Sequence, residues 1–226
     1  MTLLIIGIIV FLGIHLLPTF PHFRERLIGS LGETGYKAAF GVLSIAGFVL
    51  LVWGFGSAPF IQVWSPPPWT RWVAIVLMLP AFIFLVAAYV PGRIKAKVKH
   101  PFLVAIKTWA LAHLIANGDL ASIILFGSFL AYAVYDRIAL KGRQPTELIG
   151  TAAQGGTRND LIAVVFGLLF YVIFLVWLHP LLIGQAVVPH SASLLRPFLH
   201  CTNHHISVIR TRRNRISRGK ARVARL

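Results

Sequence analysis

The stretch KTWALAHLIANGD, Lys107 to Asp119, sets a lysine, a histidine, an asparagine and an aspartate among apolar neighbours. His100 stands just ahead of it, and His15 lies inside the first apolar run of the chain. An ionisable side chain at membrane depth is costly, so it usually faces a partner, a cavity or a cofactor. The chemistry open to this set is narrow. The single cysteine, Cys201, leaves no disulfide framework and no multi-cysteine metal site. Zinc wants three or four protein ligands, and the carboxylates or thiolates to supply them are missing. Haem iron needs only one or two axial nitrogens and a large apolar slot. Histidines on separate apolar helices therefore suit a haem better than zinc.

Helical geometry sorts the candidates. At about 100° per residue, His100 and Lys107 fall roughly 20° apart on one stripe, and His113 and Asn117 about 40° apart on another. His100 and His113 diverge by roughly 140° around the axis and about 20 Å along it, so they do not readily share an ion. His113 needs a partner from another helix, and His15 is the deeply embedded histidine that remains. Plainer readings stand beside these. A buried histidine can simply hydrogen-bond a neighbouring carbonyl. KVKHP can be the solvated start of a helix, with His100 at the interface and Pro101 in the first turn. Lys107 can snorkel, and NGD can be a tight turn. His179, before Pro180, reads as interfacial.

The elements that must hold these groups are membrane helices. Of 226 residues, 57% are hydrophobic and 12% charged, with a mean hydropathy of +0.78. Six apolar segments, about 2–18, 36–56, 69–91, 101–117, 120–140 and 160–184, are each near the ~20 residues that cross a bilayer. The expected fold is an all-α, polytopic transmembrane bundle of about six helices. Segment 101–117 is short and carries Lys107, so a re-entrant or deeply packed helix is the alternative there. MTLLIIGIIVFLGIHLLP lacks a basic leader and a small-residue cleavage pattern and is expected to be a retained first helix. The loops alternate in charge: Arg24, Arg26 and Lys37; then Arg71; then Arg93, Lys95, Lys97 and Lys99; then Asp119; then Arg137, Lys141, Arg143 and Arg158. Basic loops face the cytoplasm, which puts both termini outside and counts 101–117 as a full crossing. Trp69, Trp72 and Tyr89 read as an interfacial belt.

The net charge of +16 is unevenly spread. Residues 185–226 hold nine basic residues and no acidic one, so the chain divides into a membrane domain, 1–188, and a basic tail, 189–226. The tail reads either as a nucleic-acid or anionic-lipid segment or as a non-native extension past a true end near Val188. His200, Cys201, His204 and His205 match no standard zinc spacing. The body lacks a basic, aromatic nucleic-acid surface, and no phosphate-loop, dinucleotide, nucleophile-elbow or zinc-protease motif is present.

GIHLLPTFPHFRERL near the start and VKHPFLVAIKTWALAHLIANGDLASIILFGSFLAYAVYDR in the middle resemble the NnrU family of bacterial inner-membrane proteins, over about residues 1–188. That family is associated with denitrification, in its nitrite and nitric oxide branch. It is similar in turn to the plant 15-cis-zeta-carotene isomerase, a haem b membrane enzyme. On that resemblance His15 matches the isomerase's first conserved histidine, and Lys99, His100 and Pro101 match its RHP segment. WALAH, Trp109 to His113, matches its W-C-x-A-H segment. The resemblance implies haem b, with His15 and His113 as iron ligands. Asn117 would lie beside His113, and His100 and Lys107 would form a second polar stripe near a propionate or small anion. The isomerase's cysteine is Ala110 here, so a redox-driven ligand exchange is not expected. Three functions follow as expectations: a haem membrane protein supporting nitrite or nitric oxide metabolism, a carotenoid-type cis-trans isomerase, and a non-catalytic scaffold or assembly factor for nitric oxide reductase. In each case the surroundings are membrane lipid and the setting is the bacterial inner membrane.

Overall fold

The computed structural model describes residues 1–142, 156–184 and 187. Its packing separates Met1–Leu169 from Phe170–Leu226. The described residues are almost wholly α-helical: α1 (Thr2–Leu16), α2 (Pro21–Gly56), α3 (Thr70–Ala87), α4 (Arg93–Val98), α5 (Pro101–Ala116), α6 (Leu120–Gly142) and α7 (Gly156–Ile173). In the second unit a π-turn, Phe174–Leu178, leads into α8 (His179–Ile183). Five stretches are long and apolar enough to cross a membrane: Thr2–Thr19, Pro21–Gly56, Thr70–Ala87, Leu120–Lys141 and Gly156–Ile183. α5, the fourth expected segment, is apolar but has only 16 residues.

Side-chain burial follows the membrane rather than water. Val42, Ile45, Phe48, Val52 and Trp53 on α2 are all more than half exposed, as a lipid-facing surface is. The first unit's core is a narrow seam of Leu4, Ile8 and Leu12 from α1, Leu51 from α2, Ala110 from α5, and Ala121, Leu125 and Phe126 from α6. Without a hydrophobic drive between helices in lipid, close backbone approach has to supply the packing. Gly7, Gly47 and Gly54 do this for α1 and α2. Gly7 lies on the backbone of Leu50 and Leu51, Gly47 on Phe11, and Gly54 on Leu3 and Leu4. α3 packs mainly on α5, and α5 on α6.

The connections sort to two ends. At one, Leu120 N–H donates to Ile61 O at 2.8 Å, and Val63 and Trp64 N–H donate to Gly118 O at 2.8 and 3.1 Å. At the other, Asp160 Oδ1 accepts from Ile94 N–H at 2.9 Å, and Asn159 Nδ2 donates to Pro91 O at 2.6 Å. The loop after α2 thus meets the loop after α5, as a full crossing by α5 requires. The second end is the basic one. Two boundaries differ from the sequence expectation. α2 begins at Pro21, not near residue 36, because Pro21 opens a helical limb that the charged residues disguise as loop. That limb breaks at Gly32, whose φ of 70° and ψ of 166° suit glycine. The basic stretch after α3 also contains a helix, α4, whose first turn is held by Asp160.

Candidate functional site

His15 sits in the last turn of α1, half-buried, with Nδ1 2.6 Å from Phe11 O. His113 sits in the last turn of α5, half-buried, with Nδ1 2.8 Å from Trp109 O. A carbonyl only accepts, so each Nδ1 carries the proton and donates. Each lone pair then belongs to Nε2. The plain expectation for a buried histidine, a hydrogen bond to a neighbouring carbonyl, is therefore met at both positions. It is also the arrangement that fixes the tautomer of a metal-ligating histidine.

Rings surround both imidazoles. Phe11 lies 4.3 Å from His15 and Phe40 5.3 Å from it. Phe126 stacks on His113 at 4.5 Å with an interplanar angle of 25°, and Trp109 is 5.5 Å away. The two histidines are joined through three other rings: Phe11 to Phe129 at 5.8 Å, Phe129 to Trp109 at 5.4 Å, then His113. Phe129 on α6 is the link that a one-dimensional reading misses. Its only signal is the ladder Phe126 and Phe129 at helical spacing.

A haem held by both histidines needs them on opposite faces of one iron. His15 lies 13 residues below the start of α1 and His113 three residues from the end of α5. At 1.5 Å per residue that is a difference in depth of about 15 Å. With Phe11, Phe129 and Trp109 packed along the path, the pair does not fit a single iron. Each histidine alone has two features of a haem ligand, an anchored Nδ1–H and aromatic, apolar surroundings.

The other expected residues separate. Asn117 leaves the helix with φ −116° and ψ 137°. Its Nδ2 and its backbone N–H both donate to His113 O at 2.9 Å, so it caps α5 and grips the backbone of His113 rather than the imidazole. Asp119 Oδ1 accepts from Ser122 N–H at 2.9 Å and caps α6. His100 occupies the N-terminal cap position of α5 at the basic end. Burial holds its pKa below the usual histidine value; Arg137 and Lys99 push it down further, and Asp136 opposes them. Lys107 is half-buried on α5 and makes no hydrogen bond or ion pair among the described residues. Ala110 is fully buried in the same core seam as Leu4. Trp69, Trp72 and Tyr89 are 61%, 61% and 75% exposed at helix ends, as a belt is. His179 begins α8 in the second unit, with Phe174 6.0 Å away. His200, Cys201, His204, His205 and the tail's basic residues lie outside the described residues.

The model of the family described as NnrU protein matches residues 3–187. The chain belongs to the NnrU family. No curated protein and no solved structure matches it. The NnrU match runs from within α1 past α8, so His15, His100, Lys107, His113 and Asn117 all belong to the NnrU part of the chain.

Proposed function

We propose that this NnrU protein is a multi-pass protein of the bacterial inner membrane that binds haem b and supports nitrite and nitric oxide metabolism. The observation that carries the haem is the anchoring of both apolar-helix histidines. In each, Nδ1–H is committed to the carbonyl four residues back, the arrangement that fixes the tautomer and ring orientation of a ligating histidine. One histidine serves one haem; a difference in depth of about 15 Å, ten residues of helix rise, counts against a shared iron. When bound, haem b supplies one-electron exchange and an iron site for a small diatomic. The chain's own residues hold and orient it. Trp109 and Phe126 pack around His113, Asn117 fixes the end of the helix that carries it, and Lys107 would be the cation on α5 for a propionate carboxylate.

The test is the absorbance of the full-length protein, purified in detergent from cells supplied with haem precursor and read oxidised and reduced. A Soret band that shifts on reduction is expected. One of His15→Ala and His113→Ala should abolish it while the other keeps it. A featureless spectrum, or full haem content in both variants, sinks the proposal. The scaffold reading then takes over; the ring-filled interior between the two histidines favours it as the second choice. The isomerase reading is weaker, because residue 110 offers no thiol and is sealed in the helix seam.

A further inference from the structure

The break at Gly32 builds a second polar site, independent of the haem proposal. Arg24 and Tyr36 are twelve positions apart, about 18 Å along an unbroken helix. Because Gly32 turns the limb back, the Arg24 guanidinium carbon lies 5.7 Å from the centre of the Tyr36 ring. Between them is a cavity of about 270 Å3 lined by Pro18, Arg24, Tyr36, Lys37 and Phe40. Its walls are apolar and two cations stand at it. Lys37 is held at 2.7 Å by Glu33, but both side chains are about two-thirds exposed or more, and such a pair is weak enough to yield to a better anion.

The position says which anion. The cavity lies where α1 ends and the long limb of α2 begins, at the basic end, which is cytoplasmic by the charge rule. Phe20 and Phe23 beside the limb's start and Leu31 at its end are each more than half exposed, as on a helix lying in the membrane interface. A free oxyanion would use the cations and leave the apolar walls and these side chains uncovered. A phospholipid satisfies both.

We infer that Arg24 and Lys37 bind the phosphate of an anionic phospholipid of the cytoplasmic leaflet, with its glycerol and acyl chains against Pro18, Tyr36 and Phe40. Arg24 is the main ligand, since a guanidinium grips phosphate through two parallel hydrogen bonds and already rests on Tyr36. Arg26 is the internal control. It is on the same limb and carries the same charge, but it points about 160° away from Arg24 around the helix.

The experiment follows the thermal unfolding of the full-length protein in neutral detergent. It is titrated with phosphatidylglycerol, with phosphatidylcholine of the same chains, and with inorganic phosphate. Phosphatidylglycerol should stabilise at least tenfold more potently than phosphatidylcholine, and inorganic phosphate at matched concentration should do nothing. Arg24→Gln should weaken the phosphatidylglycerol response roughly tenfold, the worth of one charge-assisted hydrogen bond. Lys37→Gln should weaken it less, and Arg26→Gln should leave it unchanged. Equal responses to the two lipids overturn the site. So does an Arg26→Gln loss matching that of Arg24→Gln, which would mean diffuse charge attraction. A shift reproduced by inorganic phosphate overturns the lipid and leaves a free-oxyanion pocket.

Discussion

Replacing Gly47 by alanine should cost stability, whereas the same replacement at Gly41, six residues away on the same helix, should not. A Cβ at Gly47 would sit 2.7 Å from Phe11 N and 2.9 Å from Phe11 Cα. That is about 0.7 Å inside ordinary contact, and the obstruction is backbone, so no side-chain rotation relieves it. α1 and α2 must separate. They cannot do so locally, because Gly7 and Gly54 hold the same pair of helices at equally close range. Overpacking of this kind costs about 1–3 kcal/mol, and the gain in helix propensity from glycine to alanine returns at most about 1 kcal/mol. The net expected loss is about 1–2 kcal/mol. At Gly41 an added Cβ meets nothing within 4 Å, so only the propensity gain remains. Reversible unfolding in mixed micelles, read by tryptophan fluorescence, measures both. Gly54→Ala should behave like Gly47→Ala. If Gly47→Ala and Gly41→Ala shift stability in the same direction, the close crossing of α1 and α2 is wrong. The placement of Phe40 of α2 against His15 then falls with it.

Asp119→Ala removes the side chain that receives Ser122 N–H and should cost about 1 kcal/mol in the same assay, while Asp119→Asn, which can still accept, should cost less. His100 should make stability fall as acid is added. Burial, Arg137 and Lys99 keep its folded pKa below that of the unfolded chain, so the unfolded state binds the extra proton. The contribution is whole above the unfolded value of about 6.5 and is lost as pH drops below it toward the folded pKa. His100→Gln should flatten that part of the stability profile; a profile unchanged by the substitution would show that His100 is not held neutral.

The all-α membrane fold was legible because lipid demands it. A run of about 20 apolar residues has few other uses, and five of the six segments became helices long enough to cross. The alternation of basic and non-basic loops also anticipated which loops meet, since 61–64 pairs with 118–120 and 91–94 with 157–160. The start of α2 was hidden because PHFRERLIGSLGETG carries charges and four residues that usually mark turns, yet its first limb needs only Pro21 at its start and Gly32 at its end. His15 and His113 stood out by type, and their places toward opposite ends of their segments could be counted, but the rings that fill the space between them could not. Depth depends on where each helix begins relative to the membrane, and the rings between them come from α1, α5 and α6. Periodicity within one helix carries no information about that meeting. The Arg24 cavity was illegible for the same reason, as it exists only once the chain has folded back at Gly32.

The polar stretch from Lys107 to Asp119 has a cause in the length of α5. Sixteen residues span about 24 Å, roughly 6 Å less than the ~30 Å hydrocarbon core. The chain therefore leaves the helix before it reaches the surface, and irregular backbone at that depth survives only where protein satisfies it. Each residue of the turn does part of this. Asn117 closes the end of α5 through His113 O, Gly118 O takes Val63 and Trp64 N–H, and Asp119 opens α6. Leu120 N–H returns to Ile61 O and completes the bridge. Gly118 is required there because any Cβ would run into the Trp64 carbonyl it faces. Asn117 and Asp119 are thus accounted for by architecture. Lys107 is not, since it has no hydrogen-bonding or ionic partner among the described residues and sits mid-helix. His113 has its Nδ1 bonded, but a carbonyl contact does not require an imidazole at that position when serine or threonine would make it too. Lys107 and His113, six residues and about 9 Å apart along one short helix, are therefore the residues of the stretch that the caps and the turn do not account for.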